Sequence, residues 1–268
     1  SGLRRRGYPA SAVRLFCERI GISKSDNNID MNVLEDCARE VLDKTAPRLM
    51  CVLKPLKVVI TNYPEDHTEE FQPARHPKKP EMGNRKLPFS REIYIDQEDF
   101  SEDPPTNFFR LSPGKEVRLR YAYVIRCDEV IYDDTGRVSE LRCTYDPATK
   151  SGKKAEGRKV KGIIHWVSAK DSIQVEVRLY DRLFAKPIPG SDDPEGNFLN
   201  DINQNSIEVL SDCIVETEIM SLENQKVYQF ERMGYFYQDP LDSLPNAIVL
   251  NRTVTLRDSW AKLEQKKN

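Results

Sequence analysis

The apolar residues of this chain change their period near Cys51, and that change limits what the chain can fold into. Before it, Val13, Phe16, Cys17 and Ile20 recur at the three-four spacing of an amphipathic helix, opened by Pro9 and closed by Gly21. A second stripe, Leu34, Cys37, Ala38 and Val41, predicts another helix. Asp30 caps it, because a carboxylate accepts from the exposed first N–H groups, and Pro47 ends it. After the change the period is two, and residues 57–63, 91–95, 116–132, 137–145, 162–168, 173–184, 227–238 and 248–258 read as strands. Ile173, Val175, Val177 and Leu179 alternate with Gln174, Glu176, Arg178 and Tyr180, the pattern of an antiparallel sheet wet on one side. Asp134-Thr135-Gly136 reads as a turn, and the stretches 71–88 and 187–196 as loops or linkers. Many short strands with Pro- and Gly-rich joints favour barrels, because closure removes exposed edges. The expected fold is mainly β, two small antiparallel β-barrels preceded by a small α-helical subdomain.

Composition excludes several functions. With 31% charged residues and no apolar run near the ~18 residues a spanning helix requires, the chain is not expected in a membrane. Six cysteines without a Cys-x-x-Cys pair and only three histidines argue against structural zinc and for reduced thiols in the cytoplasm. Neither a dinucleotide loop, a P-loop nor a Gly-x-Ser-x-Gly elbow is present. His165, between Ile164 and Trp166, reads as a core histidine, Asp133-Asp134 and Asp192-Asp193 as turn residues, and Tyr180-Asp181-Arg182 as a strand-end ion pair. A net charge of -2 argues against indiscriminate nucleic-acid binding, so any RNA surface must be local. The basic clusters are Arg4–Arg6, Arg75–Lys86, Arg110–Arg126 and Lys150–Lys161, each by itself ordinary solvated charge unless they converge in space. Arg118 and Arg120, two apart, share a strand face, with Tyr121 and Tyr123 opposite. Such a face suits either unpaired bases, which guanidinium forks recognise, or cross-strand salt bridges.

Seven stretches, among them Leu3-Arg4-Arg5-Arg6-Gly7-Tyr8, His76-Pro77-Lys78-Lys79-Pro80, His165-Trp166-Val167-Ser168, Leu179-Tyr180-Asp181-Arg182-Leu183-Phe184 and Asn251-Arg252-Thr253-Val254-Thr255, occur in an order that resembles the glutaminyl-tRNA synthetase family along nearly the whole chain. The resemblance implies a class I aminoacyl-tRNA synthetase whose anticodon-binding barrels follow a catalytic domain. Opening on Ser1-Gly2, and without that family's His-Ile-Gly-His-type or Lys-Met-Ser-Lys-Ser-type motif, the chain is expected to be a piece lacking catalysis, with ATP and Mg held elsewhere. Expected divisions are a helical subdomain over 1–49, a first barrel over 50–163 completed by 238–268, and a second over 164–237. The implied partner is glutamine-specific tRNA, bound by a monomer in the cytoplasm, with neither DNA nor membrane. By the family's motifs, Arg48, Gln229 and Arg232 fall on positions that contact the middle anticodon base, Arg110 on one at the third, and Arg118 and Arg120 on positions near the first. Phe109 and Asn107 depart from a bacterial relative's lysine and glutamine beside the third base. The rival readings are the equivalent part of a eukaryotic or archaeal-type glutamate–tRNA ligase and a protein-interaction module without RNA.

Overall fold

The structure, a computed structural model, describes residues 2–22, 24, 28–153, 157–222 and 226–257. Three helices, α1 (Gly2–Arg5), α2 (Ala10–Ile20) and α3 (Met31–Thr45), come first. The strands follow: β1 (Arg48–Leu49), β2 (Cys51–Val52), β3 (Pro55–Ile60), β4 (Glu69–Phe71), β5 (Leu87–Phe89), β6 (Glu92–Asp96), β7 (Glu116–Leu119), β8 (Val124–Tyr132), β9 (Val138–Asp146), β10 (Ile163–Ile164), β11 (Val167–Ser168), β12 (Ser172–Tyr180), β13 (Ile207–Glu216), β14 (Val227–Phe230), β15 (Gly234–Gln238) and β16 (Val249–Thr255). The mainly β expectation holds, with two barrel-like or half-barrel sheets. The sheets are mixed where wholly antiparallel ones were expected, since β3 runs parallel to β9, β7 to β10 and β12 to β16.

The described residues divide into two compact units. One takes Pro47–Val175 and Asp212–Gln225; the other takes Ser1–Ala46, Glu176–Ser211 and Lys226–Asn268. The final strand β16 pairs with β15 and β12 and falls in the unit that holds the helices. Sequence spacing does not carry that choice, because a period-two strand fits any sheet that offers an apolar face.

In the 47–175 unit the strand order is β10-β7-β8-β9-β3-β6-β11. Its two edge strands, β10 and β11, are separated only by His165 and Trp166. A step from Ile164 to Val167 reaches at most about 10 Å, so the sheet must curl until its ends nearly meet. The indole of Trp166, fully buried, fills the interior and donates Nε1–H to the Arg120 carbonyl at 2.9 Å. Around it pack Phe89, Tyr123, Ile95, Val117, Leu141 and Ile125. The stretch 71–88 is largely loop between β4 and β5, one of the two expected alternatives. It folds back on itself through Arg85 N–H to Pro73 O at 2.9 Å and Arg75 N–H to Gly83 O at 3.0 Å. Arg85, fully buried, then donates Nε–H to Glu216 Oε2 at 2.9 Å, while Glu216 Oε1 accepts from Met50 N–H at 2.6 Å.

In the other unit, α2 and α3 take the predicted places: Asp30 accepts from Asn32 N–H at 2.7 Å, and Gly21 closes α2 with φ 68°. Ala12, Leu34, Ala38 and Leu42 pack with Tyr8, Tyr235 and Val254, so the helices rest on β15 and β16. Gly7 permits a close approach, since a Cβ there would stand 2.3 Å from Tyr237 Cβ. Asp239, fully buried, ties three segments: Arg5 Nε–H at 2.9 Å, Asn251 Nδ2–H at 2.6 Å and Leu241 N–H at 2.9 Å all donate to its carboxylate. Arg182 pairs with Glu35 at 2.5 Å and donates to Asn32, so the expected strand-end ion pair exists with a partner on α3.

Two stability outcomes follow from these buried charges. Arg85→Met strands the Glu216 carboxylate and is expected to destabilise the 47–175 unit by about 3–5 kcal/mol, whereas adding Glu216→Leu recovers part of that loss; urea midpoints of the single and double variants decide it. Burial alone would raise the carboxyl pKa of Asp239, but the Arg5 guanidinium, Asn251 and the backbone N–H groups prevail and hold it well below the usual carboxylate range. A depressed folded-state pKa gives stability that is present above the unfolded value near 4 and is lost as pH falls further. The unfolding midpoint of the chain is therefore expected to fall on acidification below about pH 4, and less so in Asp239→Asn.

Candidate nucleic-acid interface

The site residues expected from sequence fall in both units. Arg48, at the start of β1, is buried, and its N–H donates to Arg75 O at 2.6 Å. Gln229 lies on β14 opposite Tyr235 of β15, with its side chain on the face away from Tyr228 and Phe230, which are buried. Its Oε1 is shut off from solvent and has no hydrogen-bond partner among the described residues. Arg232 is not on a strand: the run 227–238 breaks into a hairpin, in which Met233 N–H donates to Phe230 O at 3.0 Å and Arg232 takes φ 70°. Arg48 thus belongs to one unit, and Gln229 and Arg232 to the other.

Residues 116–132 break in the same way. Ala122 N–H donates to Leu119 O at 3.0 Å, and Tyr121 takes φ 67°, so Arg120 and Tyr121 form the turn between β7 and β8. Arg118 and Arg120 therefore do not share a strand face as expected; Arg120 sits on the turn, its guanidinium 5.0 Å from the Tyr121 ring centroid. Nor does Tyr121 line the strand opposite them, though Tyr123 points into the core. A left-handed residue at this turn position is ordinarily glycine, and a side chain there costs on the order of 1–2 kcal/mol. Both hairpins thus carry strain at or beside a candidate arginine.

Arg118 is held by backbone: Nη1–H donates to Thr149 O at 2.9 Å and Nη2–H to Lys153 O at 2.6 Å. Burial pushes its guanidinium pKa down, with Asp146 opposing. Arg110 donates to Glu98 O at 2.6 Å and pairs with Asp99 at 3.3 Å. Next to it opens a groove of about 380 Å³, lined by Asn107, Phe109, Arg110, Lys115, Lys159 and Lys161 among others. Two of the basic sequence clusters, 110–126 and 150–161, therefore meet here. Phe109 is half exposed, and the Lys161 ammonium stands 4.9 Å from its ring centroid. Gly162 makes the meeting possible, since a Cβ there would stand 2.0 Å from the Phe109 carbonyl oxygen. Sequence reading singled out Phe109 only as a departure and passed over Lys115, Lys159 and Lys161 as individuals. What marks them is the glycine that lets two distant loops touch.

The groove combines cationic heads, an exposed aromatic ring and backbone groups, a set suited to phosphates and unpaired bases. His165 is buried 3.7 Å from Asp99 through Nδ1, as a core histidine. Asp133 bonds Thr135 N–H at 2.8 Å and Arg137 N–H at 3.0 Å, a turn role. Among the described residues no cluster of His, Cys, Asp and Glu could hold a metal ion, and no helix is long and apolar enough to cross a membrane.

Comparison with known proteins agrees with this geometry. Residues 46–146 and 163–239 match two family models, each described as "tRNA synthetases class I (E and Q), anti-codon binding domain". Similar proteins include the glutamine–tRNA ligases of Pseudomonas putida, 56% identical over 97% of this chain and 46% of that protein, and of Stutzerimonas stutzeri, 55% identical over 98% and 47%. That of Nitrobacter winogradskyi is 51% identical over 98% of this chain and 46% of its own. The chain spans about half the length of the curated relatives it matches. With the two matched stretches covering more than half of the chain and both hairpins described above, the chain belongs to the anticodon-binding domains of the class I tRNA synthetases of the E and Q type.

Proposed function

We propose that this chain binds the anticodon loop of glutamine tRNA and serves a glutamine–tRNA ligase, the bond-forming chemistry with ATP and Mg residing outside it. The observation that carries the reading is identity of 51–56% along nearly the whole chain to proteins named glutamine–tRNA ligase, which favours glutamine over the glutamate rival. Convergence of basic clusters around one aromatic groove supports RNA over a protein-interaction module. Recognition is binding: arginine forks and amide groups pair with base edges, and lysines hold phosphates. The unpaired, buried Oε1 of Gln229 fits such a role, because it needs a donor that the described residues do not supply. On this reading the chain works as a monomer in the cytoplasm, on neither DNA nor membrane, and alone charges no tRNA.

The deciding experiment measures binding of Arg48→Ala and Gln229→Ala to tRNAs differing only at the middle anticodon base. Each variant is expected to lose roughly 1–3 kcal/mol against the cognate tRNA and little against the others, by the scale of bidentate base contacts. An equal loss across all of them would leave these residues as scaffold.

A further inference from the structure

In the 47–175 unit, the loop of residues 100–110 is closed at its neck by Asp99. The Asp99 carbonyl accepts from Leu111 N–H at 3.0 Å, the Leu111 carbonyl accepts from Ser101 N–H at 3.2 Å, and Leu111 is buried. Asp99 ends the 3₁₀ turn Gln97–Asp99, and its side chain is only 2% exposed. One carboxylate oxygen stands 3.3 Å from Arg110 Nε, and the other faces His165 Nδ1 at 3.7 Å. Arg110 also donates Nη1–H to Glu98 O at 2.6 Å, yet 40% of its side chain stays exposed where it lines the groove. Two consecutive residues of one turn therefore hold the guanidinium from behind, while the rest of it faces outward.

The other cations of this groove are lysines, and Lys161 rests over the Phe109 ring. A lysine head is a compact charge on a flexible stem and holds a phosphate from many directions, whereas an arginine fork bonds only along its fixed N–H directions. Ordering a free arginine at the moment of binding costs rotamer entropy, and a side chain already held in the folded chain is spared that cost. Charge alone gives no reason for Asp99 to be here. A carboxylate beside a groove of cations lowers the positive potential offered to RNA, and burying it is unfavourable unless it is paired. What it supplies is direction: it fixes where Arg110 points.

We propose that Asp99 is a positioning residue, which aims the Arg110 guanidinium at RNA in the groove; this rests on the reading that the groove binds tRNA. The sign of one mutation separates aim from charge. Removing an anion beside an RNA site strengthens binding if charge alone matters, because the positive field rises. Asp99→Asn is expected instead to weaken tRNA binding by the full chain about fivefold. Arg110→Ala is expected to weaken it about tenfold, and Asp99→Asn added to that variant changes nothing further, since no guanidinium remains to be aimed. Equal losses from Asp99→Asn in both backgrounds make Asp99 only the neck of the loop, and unchanged or tighter binding makes it only a neighbouring charge; either result overturns the proposal. If Arg110→Ala binds as the parent does, the proposal falls while tRNA binding by the chain stands. A parent chain without affinity for tRNA removes both. The Arg110 Nε–H resonance, identified by its loss in Arg110→Lys, reports the grip in the unaltered chain even where Asp99→Asn folds poorly. Its exchange with water is expected to be about tenfold slower than that of Arg14, an exposed arginine of α2, and exchange as fast as that of Arg14 overturns the proposal.

Discussion

The buried pair of Arg85 and Glu216 decides how the 47–175 unit can close. Both side chains are shut off from water, so neither charge is tolerable alone, and each is also used by backbone groups: Ala74 O accepts from Arg85, and Glu216 accepts from Met50 N–H. Three segments far apart in sequence, the strap around 74–85, the entry to β2 at Met50 and the end of β13, thereby share one electrostatic centre. Beside it, Arg75 reaches Glu218 at 2.5 Å, so a second arginine of the strap is fastened to the same short stretch of chain. Pairing of β13 with β2, Ile214 opposite Val52 and Val215 opposite Cys51, then follows from where Glu216 must sit. The hydrophobic filling around Trp166 supplies more free energy, but it is non-directional and would accept other registers.

That centre also marks where sequence reading stops. The helices were legible because their signals are local: a cap at Asp30, a stop at Gly21 and an apolar stripe such as Leu34, Cys37 and Ala38 all act within a few residues. The mainly β character was legible from the period. The strand β13 was not, because Leu210, Ser211 and Asp212 interrupt its alternation, and the strap around 74–85 reads as a loop or linker because of its prolines. Arg85 and Glu216 are each ordinary surface residues by composition. Only a partner 131 positions away turns them into interior ones.

Of the candidate site, the residue identities came from resemblance and their settings from the fold. The spacing of Arg118 and Arg120 predicts a shared strand face, yet Arg120 lies on a tight turn. No glycine or asparagine announces that turn, since Tyr121 itself adopts the left-handed conformation. The second hairpin hides in the same way behind Arg232. In both cases the backbone bears a conformation that glycine would take without cost, so the side chain at that point is retained against a local penalty. Packing of the Tyr121 ring against the core, with Arg85 5.4 Å and Arg120 5.0 Å from its centroid, gives one physical return for that penalty.

A net charge of -2 is a poor guide to where this chain meets an anion, because it adds groups that cancel to groups that do not. Arg158 lies 2.7 Å from both Glu116 and Asp146, and Arg178 lies 2.5 Å from Asp242; such charges are answered close at hand and project little field. Arg118, held by two carbonyl oxygens, keeps its whole charge while its geometry is fixed, and Lys161 over the Phe109 ring does the same at the groove. A carbonyl or a ring orients a cation without neutralising it. The positive potential available to a phosphate is thus set by the cations positioned by dipoles and rings, and an acidic chain can present it wherever the fold gathers a few of them.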